Sequence, residues 1–299
     1  MMKRVKFLGL ECIEVANDHL SLLVTISLGP RILSLATNTS DNLFAVLPEA
    51  TLDCPGVGPF RFYGGHRLWY APEDPGVTYL PDDSAVEVES IERGIRLIQT
   101  IEPKTSLQKM IDVQLAGDRA SVEVRHMLTN HGDRDLTLAP WAITQLKPGG
   151  VAILPQCTDL TDDNPTLPNR SITLWPYTDI NGDAICWGNE FILIYARMKE
   201  GKLKIGFPNP MGWMAYWIDE TLFVKRADPI QDAEYFDHGS TCECYCDPNC
   251  IELETLAPIT CLGPGASVEH LETWHVHENV GWTDDLGEIL STIEQDRPQ

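Results

Sequence analysis

Alternation of apolar and polar residues with a period of two runs through most of this chain. LSLLVTISL (20–28), AVEVESI (85–91), IRLIQTIEP (95–103), LQKMIDVQLAG (107–117), SVEVRHMLTN (121–130) and FILIYARM (191–198) each read as a strand with an apolar face. Gly, Pro, Asn or Asp punctuates every run, and GDR at 117–119 and GDRD at 132–135 predict hairpin connections. Helical periodicity is clearest once, in the tail, where Thr283, Asp284 and Asp285 precede LGEILSTIEQ; a polar cap before apolar i, i+3, i+4 positions predicts a short helix. Many short strands without an alternating strand–helix rhythm predict an all-β antiparallel sandwich or barrel. No internal repeat or low-complexity linker divides the chain, so residues 1–299 read as a single domain.

Charge narrows the partners. The net charge of −22 works against nucleic acid and against an anionic membrane, because both select a positive footprint. No run approaches the roughly 18 to 20 apolar residues of a membrane helix. Near the start, Glu11, Glu14 and Asp18 interrupt anything resembling a leader. The expectation is a cytoplasmic protein with its nine cysteines mostly reduced, handling a small molecule.

Three segments carry chemistry beyond strand building. GGHRLWYAPE (64–73) packs two glycines, His66, Arg67, Trp69 and Tyr70 together. In IELETLAP, strand parity sets Glu252, Glu254 and Leu256 on one face and Ile251, Leu253 and Thr255 on the other, so one face is apolar and the other holds two carboxylates. In CECYCDPNC, Cys242, Cys244 and Cys246 share a face, and the turn Asp247-Pro248-Asn249 predicts Cys246 opposite Cys250, Cys244 opposite Glu252 and Cys242 opposite Glu254. Three readings of these cysteines stay open: reduced thiols, a Cys246–Cys250 disulfide, and a soft-metal site. His275 and His277 also share a face, as two metal ligands can, with no third ligand obvious nearby.

Taken together, GGHRLWYAPE, LTNHGDRDLTLAPWAITQLKPGG (128–150), LWPYTD (174–179), KIG with GWMAY (204–206, 212–216), ELETLAPITCLGPG and HLETW resemble the galactose mutarotase-like superfamily of aldose 1-epimerases and glucose-6-phosphate 1-epimerases, and more closely its DUF4380-type branch. The resemblance implies a large antiparallel β-supersandwich with an aromatic-lined groove for a carbohydrate ligand. It also implies general acid–base opening and closing of a hemiacetal ring, a reaction that asks for no cofactor. Glu254 takes the place of the family's base. Trp141 stands where the family has its acid histidine, so His66, after the glycine pair, is the substitute acid. Arg67 offers a planar donor fork for hydroxyls, a carboxylate or a phosphate, and Trp69 and Trp141 offer faces for a sugar ring. Lys204 and Tyr177 are further groove candidates, and His238 is an alternative acid. The alternative function is a non-catalytic carbohydrate-binding or sensing module using the same groove.

Overall fold

The computed structural model describes residues 2–158, 168–283 and 285–296. Two antiparallel sheets dominate it. The first runs in the order Met2–Phe7, Leu10–Ala16, Leu20–Thr25, Arg31–Thr37, Gly58–Ala71, Leu136–Leu146, Ile251–Leu256, Cys242–Cys246, Leu203–Phe207 and Thr173–Leu174. The second runs Ile185–Trp187, Phe191–Tyr195, Val151–Pro155, Trp213–Ile218, Thr221–Arg226, Ser267–His277, Ser121–Asn130, Leu107–Leu115, Gly94–Ile98 and Glu87–Ile91. Their facing sides form one apolar core, in which Leu22, Leu35 and Leu253 of the first sheet pack with Val113, Val124 and Trp274 of the second. The Trp274 ring meets Phe44 edge-on at 5.8 Å. This is the expected antiparallel β-sandwich.

The period-two runs fold as strands, with the span Ser121–Asn130 as the alternation predicts. GDR at 117–119 lies in the connection that returns Leu107–Leu115 onto Ser121–Asn130. GDRD at 132–135 makes no hairpin, because the strands on either side of it belong to different sheets. Local turn chemistry cannot distinguish a return within a sheet from a crossing to the facing one. The glycine pair lies inside a continuous 14-residue strand, Gly58–Ala71. Gly64 and Gly65 have φ of 93° and 73°, and a Cβ on either would collide with the carbonyl oxygen of Ala45 or Ile32. They are glycine because the chain at Ala45 and the strand Arg31–Thr37 close in on the backbone there.

The helix Gly287–Gln295 packs Ile289 and Ile293 on Ile153, Trp213, Leu222 and Val224 of the second sheet. Its predicted polar cap is corrected. Leu286 precedes the helix in a left-handed conformation without a side-chain cap, Asp285 Oδ1 accepts from the Gly287 N–H at 3.1 Å, and Asp284 lies outside the described residues. Asp296, just after the helix, accepts from His277 Nε2 at 2.8 Å and lies 3.3 Å from His275 Nδ1. The two histidines thus latch the helix to the sheet. Asp296→Ala should cost about 1 to 2 kcal/mol locally, seen as faster amide exchange in Gly287–Gln295 than in the strands beneath. Unchanged exchange there would remove the latch.

Candidate functional site

The outer face of the first sheet carries the groove, and strand pairing lays out its floor. One row across the sheet reads Gln145, Glu252, Tyr245, Lys204; the next reads Arg67, Ile143, Glu254, Glu243, Gly206; a third pairs Trp69 with Trp141 and Trp141 with Leu256. Residues of matching parity point outward together, so side chains from five strands converge over these rows. They line a cavity of about 550 Å³, whose walls include Arg67, Trp69, Trp141, Tyr177, Lys204 and Glu252. Tyr177 and its neighbour Trp175 enter from the loop after Thr173–Leu174. All five residues expected to bind substrate therefore meet at one cavity.

Glu254 lies beneath it. Fully buried, its Oε2 accepts from Trp141 Nε1 at 2.7 Å and from Lys204 Nζ at 2.9 Å. Lys204 also lies 2.6 Å from Glu243 Oε2, with Nζ 4.6 Å from the Trp141 ring centre and 4.7 Å from that of Trp175. Burial alone would lower the Lys204 ammonium; Glu254 and Glu243 outweigh it and hold it well above the usual range. Burial, reinforced by Glu254 opposite, raises Glu243 well above a normal carboxylate against the pull of Lys204. Glu252 is different, because it belongs to the cavity wall. Its Oε1 accepts from Gln145 Nε2 at 2.6 Å and lies 3.4 Å from Arg67 Nη2. Burial, partly offset by Arg67, moves Glu252 up to about 7. Arg67 stacks 4.1 Å over the Trp69 ring, which fixes its fork on the groove side.

His66 is not in the groove. Adjacent residues in a strand face opposite ways, so with Arg67 outward His66 points between the sheets. There Nδ1 meets Thr144 Oγ1 at 2.9 Å and Nε2 meets His126 Nε2 at 2.7 Å. Lys225, completely buried, contacts Thr144 Oγ1, the carbonyls of Ala142 and Leu253, and Glu272. Thr255 donates to Glu272, Trp274 Nε1 donates to its other oxygen at 2.8 Å, and His270 Nε2 meets Thr255 Oγ1 at 2.7 Å. Donor counting assigns the tautomers. His126 Nδ1 donates to the His270 carbonyl, so His126 Nε2 accepts from His66 Nε2–H, and Thr144 donates to His66 Nδ1. Lys225 and Glu272 share the core-facing parity of Phe223 and Trp274, a signal in the alternation that the sequence reading did not use.

His66, His126 and Glu272 converge closely enough to suggest a metal site. Their donors already close on one another, and an ammonium sits 2.9 Å from the only carboxylate, so a cation would compete with Lys225 for it. The residues fit a sealed structural network better than a metal. His238 is exposed in the turn Phe236–Gly239 and is not among the residues that line the cavity.

The cysteine cluster is corrected by one residue of register. Cys246 pairs with Ile251, Cys244 with Leu253 and Cys242 with Thr255. Asp247 Oδ1 accepts from the N–H groups of Asn249 and Cys250, closing a turn one residue longer than predicted. A one-residue shift exchanges faces. The three strand thiols enter the core, Glu243 and Tyr245 take the groove face, and all nine cysteines are free. Burial raises the thiols of Cys242, Cys244 and Cys246 above their ordinary range, which suits inert packing.

Among the described residues no helix is long and apolar enough to cross a membrane. No family model and no curated protein matches the sequence. Solved structures do match the fold. A galactose mutarotase-like protein from Lactobacillus casei is 12% identical over 89% of this chain and 100% of its own, with a TM-score of 0.58. A galactose mutarotase related enzyme from Lactobacillus acidophilus is 10% identical over 90% of this chain and 98% of its own, with a TM-score of 0.54. The chain has the galactose mutarotase-like β-sandwich fold.

Proposed function

We propose that the groove binds a sugar and interconverts its anomers, the reaction of an aldose 1-epimerase. One observation carries this: aromatic faces, Arg67, Lys204 and the Glu252 carboxylate from separate segments converge on one cavity of about 550 Å³. Stacking faces beside hydrogen-bonding groups suit a pyranose, which is apolar on its C–H faces and polar at its rim. His66 takes no part, since it lies on the far side of the sheet. A second reading, a non-catalytic carbohydrate-binding module, is favoured by the absence of histidine from the described lining of the groove.

Saturation-transfer and exchange NMR with a panel of aldoses and their 6-phosphates separates the two. Contact with ring protons together with faster α/β interconversion is expected. Trp141→Ala should weaken binding about tenfold, or ~1.4 kcal/mol. Saturation transfer without faster exchange would leave the binding module, and neither signal with any sugar would remove both readings.

A further inference from the structure

Two carboxylates alternate along Ile251–Leu256, and the groove treats them differently. Glu254 is sealed under Trp141 and committed to Lys204. Glu252 lines the cavity, its carboxyl steadied through Oε1 by Gln145 and Arg67, while among the described residues no hydrogen bond engages Oε2. In the strand register Tyr245 pairs with Glu252 on one side and Lys204 on the other. Two strand spacings, about 10 Å, therefore separate their backbones. Both side chains rise from the same face, with Tyr245 between them in the row, and all three line the cavity of about 550 Å³, a volume that accommodates one sugar ring. Lys204 gives N–H groups to Glu254 and Glu243 and retains one more.

Building on the epimerase reading, we propose that Glu252 and Lys204 are the proton-transfer pair of the groove and that Glu254 is a positioning residue acting through Lys204. Glu252 Oε2 takes the proton of the anomeric hydroxyl. The oxygen's electron pair forms the C1 carbonyl, the bond from C1 to the ring oxygen breaks, and its electron pair goes to that oxygen, which takes a proton from Lys204 Nζ. An alkoxide is a stronger base than an amine, so this transfer runs downhill even from an ammonium held by two carboxylates. Rotation about C1–C2 presents the other carbonyl face. The hydroxyl attacks and returns its proton to Lys204, while the new anomeric oxygen takes one from Glu252. Protons and electrons balance, and no other reactant is consumed.

The test compares wild type with Glu252→Gln, Glu252→Asp, Glu254→Gln and Lys204→Arg. For each, saturation transfer reads binding, exchange NMR reads rate from pH 5 to 9, and thermal melting reads folding. In wild type the rate should rise with pH through a midpoint near 7, as Glu252 ionises. Glu252→Gln should keep saturation transfer, lose about a hundredfold in exchange rate and lose the midpoint. Glu252→Asp should restore a midpoint at a reduced rate. Glu254→Gln should slow exchange and keep a pH midpoint, moved lower because the Glu254 charge helps to raise Glu252. Lys204→Arg preserves the charge but surrenders no proton, and should lose about a hundredfold. Wild-type rate and midpoint in Glu252→Gln would overturn the assignment while leaving the epimerase reading intact. A wild-type protein that binds sugar without faster exchange would overturn the proton-transfer pair, and one that binds none would overturn the sugar groove itself.

Discussion

Lys225→Met should destabilise the protein by about 3 to 5 kcal/mol, read as a lower urea midpoint at an unchanged slope. Lys225 is an ammonium with no exposure to water, bonded to the carbonyls of Ala142 and Leu253 in the facing sheet and lying 2.9 Å from Glu272. Burial lowers its proton affinity, and Glu272 opposes that; burial would raise Glu272, but Lys225 and the nearby histidines bring it below the usual carboxylate range. Each charge is tolerable only because the other is there. Methionine fills the space yet leaves Glu272 an unpaired buried anion, with Thr255 and Trp274 as its donors among the described residues. The double variant Lys225→Met with Glu272→Gln removes both charges and should recover a large part of the loss. A single variant as stable as wild type would show that the pair does not bolt the sheets together.

That pair also shows where the sequence was legible and where it was not. Alternation located the strands, and parity within Ile251–Leu256 correctly split two carboxylates from an apolar face, because burying one side of a sheet constrains every second residue. The same rule was available for GGHRLWYAPE. His66 and Arg67 are adjacent in a strand, so only one can face the groove, and grouping both as groove residues set aside a constraint already in hand. The cysteine register was harder. It depends on whether the chain turns within the three residues Asp247-Pro248-Asn249 or within four, and the Asp247 side chain decides that through two backbone N–H groups. The role of GDRD is set by long-range pairing, since Leu136–Leu146 joins Gly58–Ala71 and Ile251–Leu256 rather than the strand just before it. The groove needed both kinds of information. Arg67, Trp141, Lys204 and Tyr177 are scattered over more than a hundred positions, and only the sheet order 58–71, 136–146, 251–256, 242–246, 203–207 makes them neighbours.

Acid should unfold this protein early, and the interior histidines set the window. Burial is the leading cause in each case: it holds His66 well below the ordinary imidazole range, lowers His126, and brings His270 to about 3 and His275 to about 4. In the unfolded chain all four take up protons near pH 6.5. Below that pH the unfolded state therefore binds more protons than the folded one, and stability falls with pH until the folded values near 4 and 3 are reached. Two groups have the opposite sign. Glu252, raised to about 7, and Glu243, raised well above its ordinary value, take up protons in the folded state first, and favour folding as pH falls from 7 towards the unfolded glutamate range. At pH 6.5 the unfolded histidines are only half protonated, so the net uptake on unfolding grows from near zero there to about two protons near pH 5, where the slope is roughly 2.7 kcal/mol per pH unit. Integrated over the 1.5 units that is about 3 kcal/mol, a sizeable part of the roughly 5 to 15 kcal/mol that holds a typical domain together. Urea titrations at half-unit steps from pH 7.5 to 5 should show the midpoint falling steadily below pH 6.5. In Glu252→Gln the fall should be steeper by about one proton, because one opposing group is gone. A midpoint independent of pH over this range would mean that the histidines are already charged in the folded protein. The chain of donors from Lys225 through Thr144 and His66 to His126 would then need a different protonation pattern.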